Sequence, residues 1–253
     1  MEVPTGRRRF AWFTLLTLVV LGAGCSDSEE PSGETAESTT TSATAAPTTQ
    51  TSAPPSAADE ARVRTVLLKA GDLPPRWVGS GEISPPTDDD PAAEQLAAEC
   101  FGLPQAELDK LTADLESPTF TFGEAEISSN AYTAAAQPIV DQYQAALVKD
   151  GTRCLGRLFT EEFTKDLPQG VTLGPPDIRR TGPAAGGNGS KFTFAVTATN
   201  QATGEQLKIS GGYSVASVDR LVIETSLITL GGDAPIGALD TATTAQYRRA
   251  TPS

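Results

Sequence analysis

From residue 59 onward, apolar residues recur with two periods, one helical and one of two residues, which divide the chain into helices and strands. Val63, Val66, Leu67 and Ala70 fall at helical spacing, and Gly71 supplies a stop. In the next stretch, Asp72-Leu73-Pro74-Pro75-Arg76-Trp77, two prolines hold the backbone extended and aim the indole inward. Residues 79–90 read as a loop. Pro91 opens a helix with Leu96, Ala97, Cys100 and Phe101 on one face, and Asp90 is its expected N-cap. Gly102 to Pro104 break it, and a short helix with Leu108, Leu111 and Leu115 is expected next. Alternation begins at Phe120 and Phe122; Gly123 marks a turn, and Glu124 to Tyr132 form the second strand. Pro138 then starts a helix with Ile139, Val140, Tyr143, Ala146 and Leu147 on one side. Asp150-Gly151 interrupts, and Thr152 caps another helix whose Cys154, Leu155, Leu158 and Phe159 face inward until Pro168.

The last third is mostly β. Strands are expected over 171–180, from Phe192 to Ala198, from Leu207 to Val215, and over Leu221 to Leu230. Asn200 to Glu205 and Asp219-Arg220 supply turns, while Gly211-Gly212 predicts a bulge or a close backbone approach. Asn188-Gly189-Ser190 matches a glycosylation sequon, but in its Gly-rich loop it reads more simply as a turn. A helix over Ala238 to Arg249 closes the chain. The order predicts an α+β domain over 59–250, an antiparallel sheet (hairpin plus meander) flanked by helices. About 190 residues suffice for one real core.

Residues 26–58 follow neither period. They are rich in Ser, Thr, Ala, Pro and Glu, lack Lys and Arg, and hold no aliphatic side chain larger than alanine. Such a segment has no apolar area to offset the entropy of ordering, so a disordered tether is expected. As a flexible coil it would span on the order of 30 Å, and fully stretched ~110 Å. Thr39, Thr40, Thr41, Thr48, Thr49 and Thr51 are candidate O-glycosylation acceptors; an unmodified spacer is the alternative.

Ahead of the tether, Arg7, Arg8 and Arg9 precede an apolar run from Phe10 to Leu21 and then Gly22-Ala23-Gly24-Cys25. A basic start, a short apolar run and small residues before a cysteine resemble a bacterial lipoprotein signal, with residues 1–24 removed and Cys25 lipidated. The run is too short to span a bilayer as a stable helix, which favours cleavage over a permanent anchor. Arg7-Arg8-Arg9-Phe10, a twin arginine, one further residue and then phenylalanine, also resembles the core of a twin-arginine signal, but Gly6 stands where Ser or Thr is usual. General secretion is the plainer reading.

Charge and composition narrow the chemistry. The formal net charge is −13, and the first 24 residues hold three arginines and one glutamate, leaving −15 on the remainder. So acidic a surface disfavours nucleic acid and anionic membranes as direct partners. Beyond Cys25, Cys100 and Cys154 remain, and in an exported protein a bridge is expected, contributing roughly 4 kcal/mol through loop closure. The chain has no histidine. That removes Ser-His-Asp and Cys-His catalysis, histidine-held zinc and the usual base near neutral pH. Asp88-Asp89-Asp90 lacks the spacing of a calcium loop, and helix capping explains it better, so neither metal nor cofactor is expected.

Leu67-Leu68 through Leu73-Pro74-Pro75-Arg76-Trp77 is similar to the opening of many actinobacterial cell-wall lipoproteins, and to extracellular sensor domains of membrane kinases from the same bacteria. Ser117-Pro118 to Phe122, Arg153-Cys154-Leu155 and the Gly-rich meander continue the resemblance across residues 62–230. It implies an antiparallel sheet flanked by helices, of PsbP-like type, with a cavity between them. It brings no catalytic residues.

Three functions compete. The first is a non-enzymatic binding or sensor-type module, held at the extracytoplasmic face of the membrane by its lipid and recognising a lipid, small ligand or envelope protein. Trp77, Phe101, Tyr143 and Tyr213 are its candidate ligand residues, though each also reads as core. The second is a structural accessory of an envelope complex, for which an exposed apolar patch would be the mark. The third is a carboxylate-dependent cell-wall glycan hydrolase, with Glu124 and Glu126, or Glu161 and Glu162, as the suggestive pairs. Solvated surface charge explains those four better.

Overall fold

The computed structural model describes residues 56–86, 91–103, 111–165 and 167–251. The signal, Cys25, the tether through residue 55, Asp88 to Asp90 and Leu108 lie outside the described residues. Ser56 caps α1 (Ala57–Val66), its hydroxyl accepting from the Asp59 amide at 3.0 Å. Then come β1 (Val78–Ser80), α2 (Pro91–Phe101), β2 (Ala113–Glu116), β3 (Thr119–Phe122), β4 (Ala125–Thr133) and α3 (Gln137–Lys165). The rest is β5 (Val171–Leu173), β6 (Asp177–Gly182), β7 (Gly189–Asn200), β8 (Gln206–Val218), β9 (Leu221–Leu230) and α4 (Ile236–Ala250).

Among the described residues nine strands join one sheet in the order β1-β3-β4-β9-β8-β7-β5, with β2 pairing β4 and β6 pairing β7. Every pairing is antiparallel. The expected α+β class, hairpin and meander are therefore present, with β3 and β4 as the hairpin and β7 to β9 as the meander. Period-two patterning gives each central strand two apolar faces. Under α2 and α3 lie Phe192, Tyr213, Val215 and Val222, extended toward β7 by Phe194 and Val196. On the other face α1 and α4 cover Ala131, Leu221, Ile223 and Leu227. The result is a helix–sheet–helix sandwich with a core on each side.

Four local expectations are corrected. Asp150-Gly151 does not interrupt: α3 runs unbroken for 29 residues. Gly151 is there for packing, since a Cβ at that position would stand 2.6 Å from Cζ of Phe192. Leu115 belongs to strand β2, not a helix, and with Ala113 it packs beneath α1 while Asp114 and Glu116 turn to the other face. Four residues are too few to display a period of two against the helical spacing of the preceding leucines. The stretch 171–180 is two strands, because Pro175-Pro176 has no amide to donate between β5 and β6. The 79–90 loop contributes the end of β1 and a bridge from Ser84 to Glu116. At Gly211-Gly212 the choice resolves to close approach: the register continues through both, and a Cβ at Gly211 would lie 2.1 Å from the Leu227 carbonyl oxygen.

Candidate functional site

Three adjacent central strands set the site. Glu224 on β9 pairs directly with Asn130 on β4 and with Val215 on β8. Two residues away on the same face stand Tyr132 on β4 and Tyr213 on β8, and α3 lowers Tyr143 onto them from above. One carboxylate oxygen, Oε1 of Glu224, accepts from the hydroxyl of Tyr132 at 3.1 Å and from that of Tyr143 at 2.9 Å. Tyr213 also hydrogen-bonds to Glu224 and to Tyr143. Phe101, from the end of α2, meets the Tyr143 ring edge-on with centroids 5.1 Å apart. Cys100 and Cys154 are bonded beside it, joining α2 to α3.

The electrostatics follow from enclosure. Burial pushes the Glu224 carboxyl above its ordinary value, and the three tyrosine hydrogen bonds oppose that rise without cancelling it. Burial also holds the hydroxyls of Tyr132, Tyr143 and Tyr213 well above the usual phenol range, and the neighbouring Glu224 charge adds to the effect. Glu126, on the same face of β4, is likewise pushed up by burial.

The surrounding sheet face is rich in acceptors. Glu116 lies opposite Asn130 and Asp114 opposite Tyr132, so both carboxylates join the face that bears Glu224. Ser128 and Ser226 share a hydrogen bond of 3.3 Å one pair further along. No lysine or arginine occurs anywhere in β2, β4 or β9. Asn130 is only 8% exposed, and its Oδ1 is enclosed with no hydrogen-bond partner among the described residues. Native interiors seldom leave such an atom unbonded. Among the described residues no group of three Asp, Glu, Cys or His side chains is placed to hold a metal ion.

Of the four aromatics singled out in the sequence, the fold brings Phe101, Tyr143 and Tyr213 together. Trp77 is elsewhere: half-buried against the core under α4, with its ring centroid 5.8 Å from that of Phe122. The carboxylate pairs do not form paired sites. Glu124 is exposed in the turn before β4, whereas Glu126 is half-buried on the strand. Glu161 is exposed, and Glu162 is buried and bonded to Lys165 at 2.8 Å. Sequence reasoning missed Tyr132, Asn130 and Glu224. A signal for Glu224 existed, since it is the one charge in the apolar run Leu221 to Leu230.

No protein-family model matches the chain, and no curated protein matches it in sequence. Among solved structures it is similar to the extracellular domain of PknH from Mycobacterium tuberculosis. The identity is 12%, over 75% of this chain and 95% of that one, with a TM-score of 0.37. No helix of the described residues is long and apolar enough to cross a membrane.

Proposed function

We propose that this chain is an exported lipoprotein, anchored through Cys25 on the extracytoplasmic side of the membrane, whose folded domain is a non-enzymatic binding or sensor-type module. The tether would let that domain stand off the membrane and reach a lipid, small ligand or envelope protein. The observation that carries the reading is Glu224: a half-buried carboxylate with three tyrosine hydroxyls, next to an enclosed Asn130 oxygen that has no hydrogen-bond partner among the described residues. A purely structural core gains little from such a group, because buried polar atoms stabilise only when fully bonded. A ligand that completes the bonding would give the arrangement a use.

Native mass spectrometry of the protein, gently extracted from an exporting actinobacterial host, tests this. A reproducible extra mass released on denaturation is the expected result. A clean polypeptide mass at several concentrations, after allowance for the lipid on Cys25, would remove the carrier reading.

The second reading, an accessory of an envelope complex, draws on a different surface. At the β1 edge Val78 is 66% and Phe122 39% exposed, with Trp77 beside them and the Arg76 guanidinium 5.2 Å from the Phe122 ring centroid. Crosslinking in the envelope from a photoreactive residue at position 78 would capture such a partner.

A further inference from the structure

Resting on the envelope-accessory reading, we infer that the β1 edge takes up an extended peptide segment of another envelope protein as an added strand. Its aliphatic side chains would lie against Val78, and one carboxylate would meet Arg76. The backbone supplies the first observation. Among the described residues β1 ends the strand order, paired with β3 on one side and open on the other. Glu124 gives its carbonyl to the Leu230 amide on β9, so the alternation of an antiparallel ladder turns Ala125 and Ile127 toward β3, bonded to Phe122 and Phe120. Thr121 and Thr119 then point to β1, where they meet Val78 and Ser80. Gly79, exposed between those two, is left with its amide and carbonyl directed outward. That donor and acceptor are what an added strand bonds.

The side chains choose the occupant. Successive side chains of an added strand alternate, so it reads both faces of the edge. On one face Val78 stands exposed beside its pair partner Thr121. On the other, Trp77 and Phe122 lie together, with the Arg76 guanidinium over the Phe122 ring. Arg76 is exposed, and among the described residues no carboxylate lies within ion-pair distance of it. Its backbone is left-handed at φ 89, a conformation that costs a non-glycine residue energy. A guanidinium so placed presents a fork of donors suited to a carboxylate. A cationic segment would meet it with like charge. A second copy of this chain would bring the same arginine and another net charge of −13. A lipid surface would cover Val78 and leave the Gly79 amide and carbonyl without partners. The same overall acidity restricts the segment to one carboxylate among aliphatic residues.

The full chain, extracted in neutral detergent, would be offered a displayed library of random heptapeptides, and the enriched sequences made with blocked ends. The expected selection has aliphatic residues at alternate positions and one Asp or Glu on the opposite face, with saturable binding by fluorescence polarisation. Methylation of the peptide nitrogen that bonds Gly79 should weaken binding about tenfold or more, as should Val78→Lys and Arg76→Glu. Arg76→Glu should also turn the selection from acidic to basic peptides. Both substitutions lie at exposed positions, and methylation alters only the peptide, so the test does not depend on a variant that folds. No enriched sequence, no acidic preference, or tolerance of methylation at every peptide nitrogen would overturn the inference. A photoreactive residue at position 78 separates it from the reading beneath it. If that residue links to an envelope protein while no peptide is selected, the accessory reading stands and only the added strand falls. If it links to nothing and no peptide is selected, both fall.

Discussion

Arg249, in the last turn of α4, grips Asp72 with both terminal nitrogens, Nη1 to Oδ1 at 2.5 Å and Nη2 to Oδ2 at 2.7 Å. The same guanidinium donates to the carbonyls of Thr65, Val66 and Leu67, the group of acceptors that α1 leaves open at its end. One side chain thus closes the first helix against the last. Asp72 is only 7% exposed, so removing either partner leaves the other poorly compensated. Asp72→Ala and Arg249→Ala should each lower stability by about 3 kcal/mol, and the double variant by much less than their sum. Urea unfolding of the three variants measures this; additive losses would mean the pair is not coupled.

Gly151→Ala provides a test with opposite signs for two views of α3. Were Gly151 a helix break, alanine would stabilise by about 1 kcal/mol. With Phe192 fully packed against that position, the added methyl should instead cost about 1–3 kcal/mol. Phe192→Leu in the alanine background should recover part of the loss, which thermal unfolding of the pair would show.

The Cys100–Cys154 bridge closes a separation of 54 residues between α2 and α3. Reduction, or replacement of both cysteines by alanine, should destabilise the domain by roughly 4 kcal/mol if chain entropy dominates. The measurement is the shift of the denaturant midpoint with and without reductant. It should also broaden the ring signals of Phe101 and Tyr143, because the bridge fixes the helix that carries Phe101.

Acidity should read out Glu224. Its folded carboxyl titrates above the ordinary glutamate value of 4.5, so between that value and its raised one the native state holds a proton the unfolded chain has released. Stability from this group is therefore full below about 4.5 and falls as pH rises through the raised value. Glu126 contributes in the same direction, also through burial. Glu224→Gln should flatten that slope in pH-dependent unfolding; an unchanged slope would place the titration elsewhere.

Alkaline titration addresses the tyrosines. The chain has four, and Tyr132, Tyr143 and Tyr213 are held protonated by burial and by the adjacent Glu224 charge. Phenolate absorbance from these three should appear only together with loss of the fold, tracked by circular dichroism. Early ionisation in the folded state would show that the cluster is open to water.

Much of the architecture was legible because it depends on neighbours in sequence. The periods of Phe192 to Ala198 and Val63 to Val66, the proline that opens α2 and the turn at Asp219-Arg220 all specify local geometry, and those elements form where expected. Two signals misled for the same physical reason. Gly151 carries the mark of a breaker, yet its role is set by a ring 41 positions later in the chain. The leucines through Leu115 carry a helical spacing, but pairing with β4 draws Ala113–Glu116 into the sheet.

The site divides in the same way. The sequence alone determined that the chain holds no histidine, that Cys100 and Cys154 lie on apolar helix faces, and that Phe101, Tyr143 and Tyr213 point inward. Side-chain periodicity reports which face a residue takes, and nothing more. Only the tertiary structure decided that Tyr143 and Glu224, 81 residues apart, share a hydrogen bond, that Asn130 stands opposite that carboxylate, and that Trp77 belongs to the other core. Strand order and register make those assignments, and they arise from long-range pairing that no local pattern encodes.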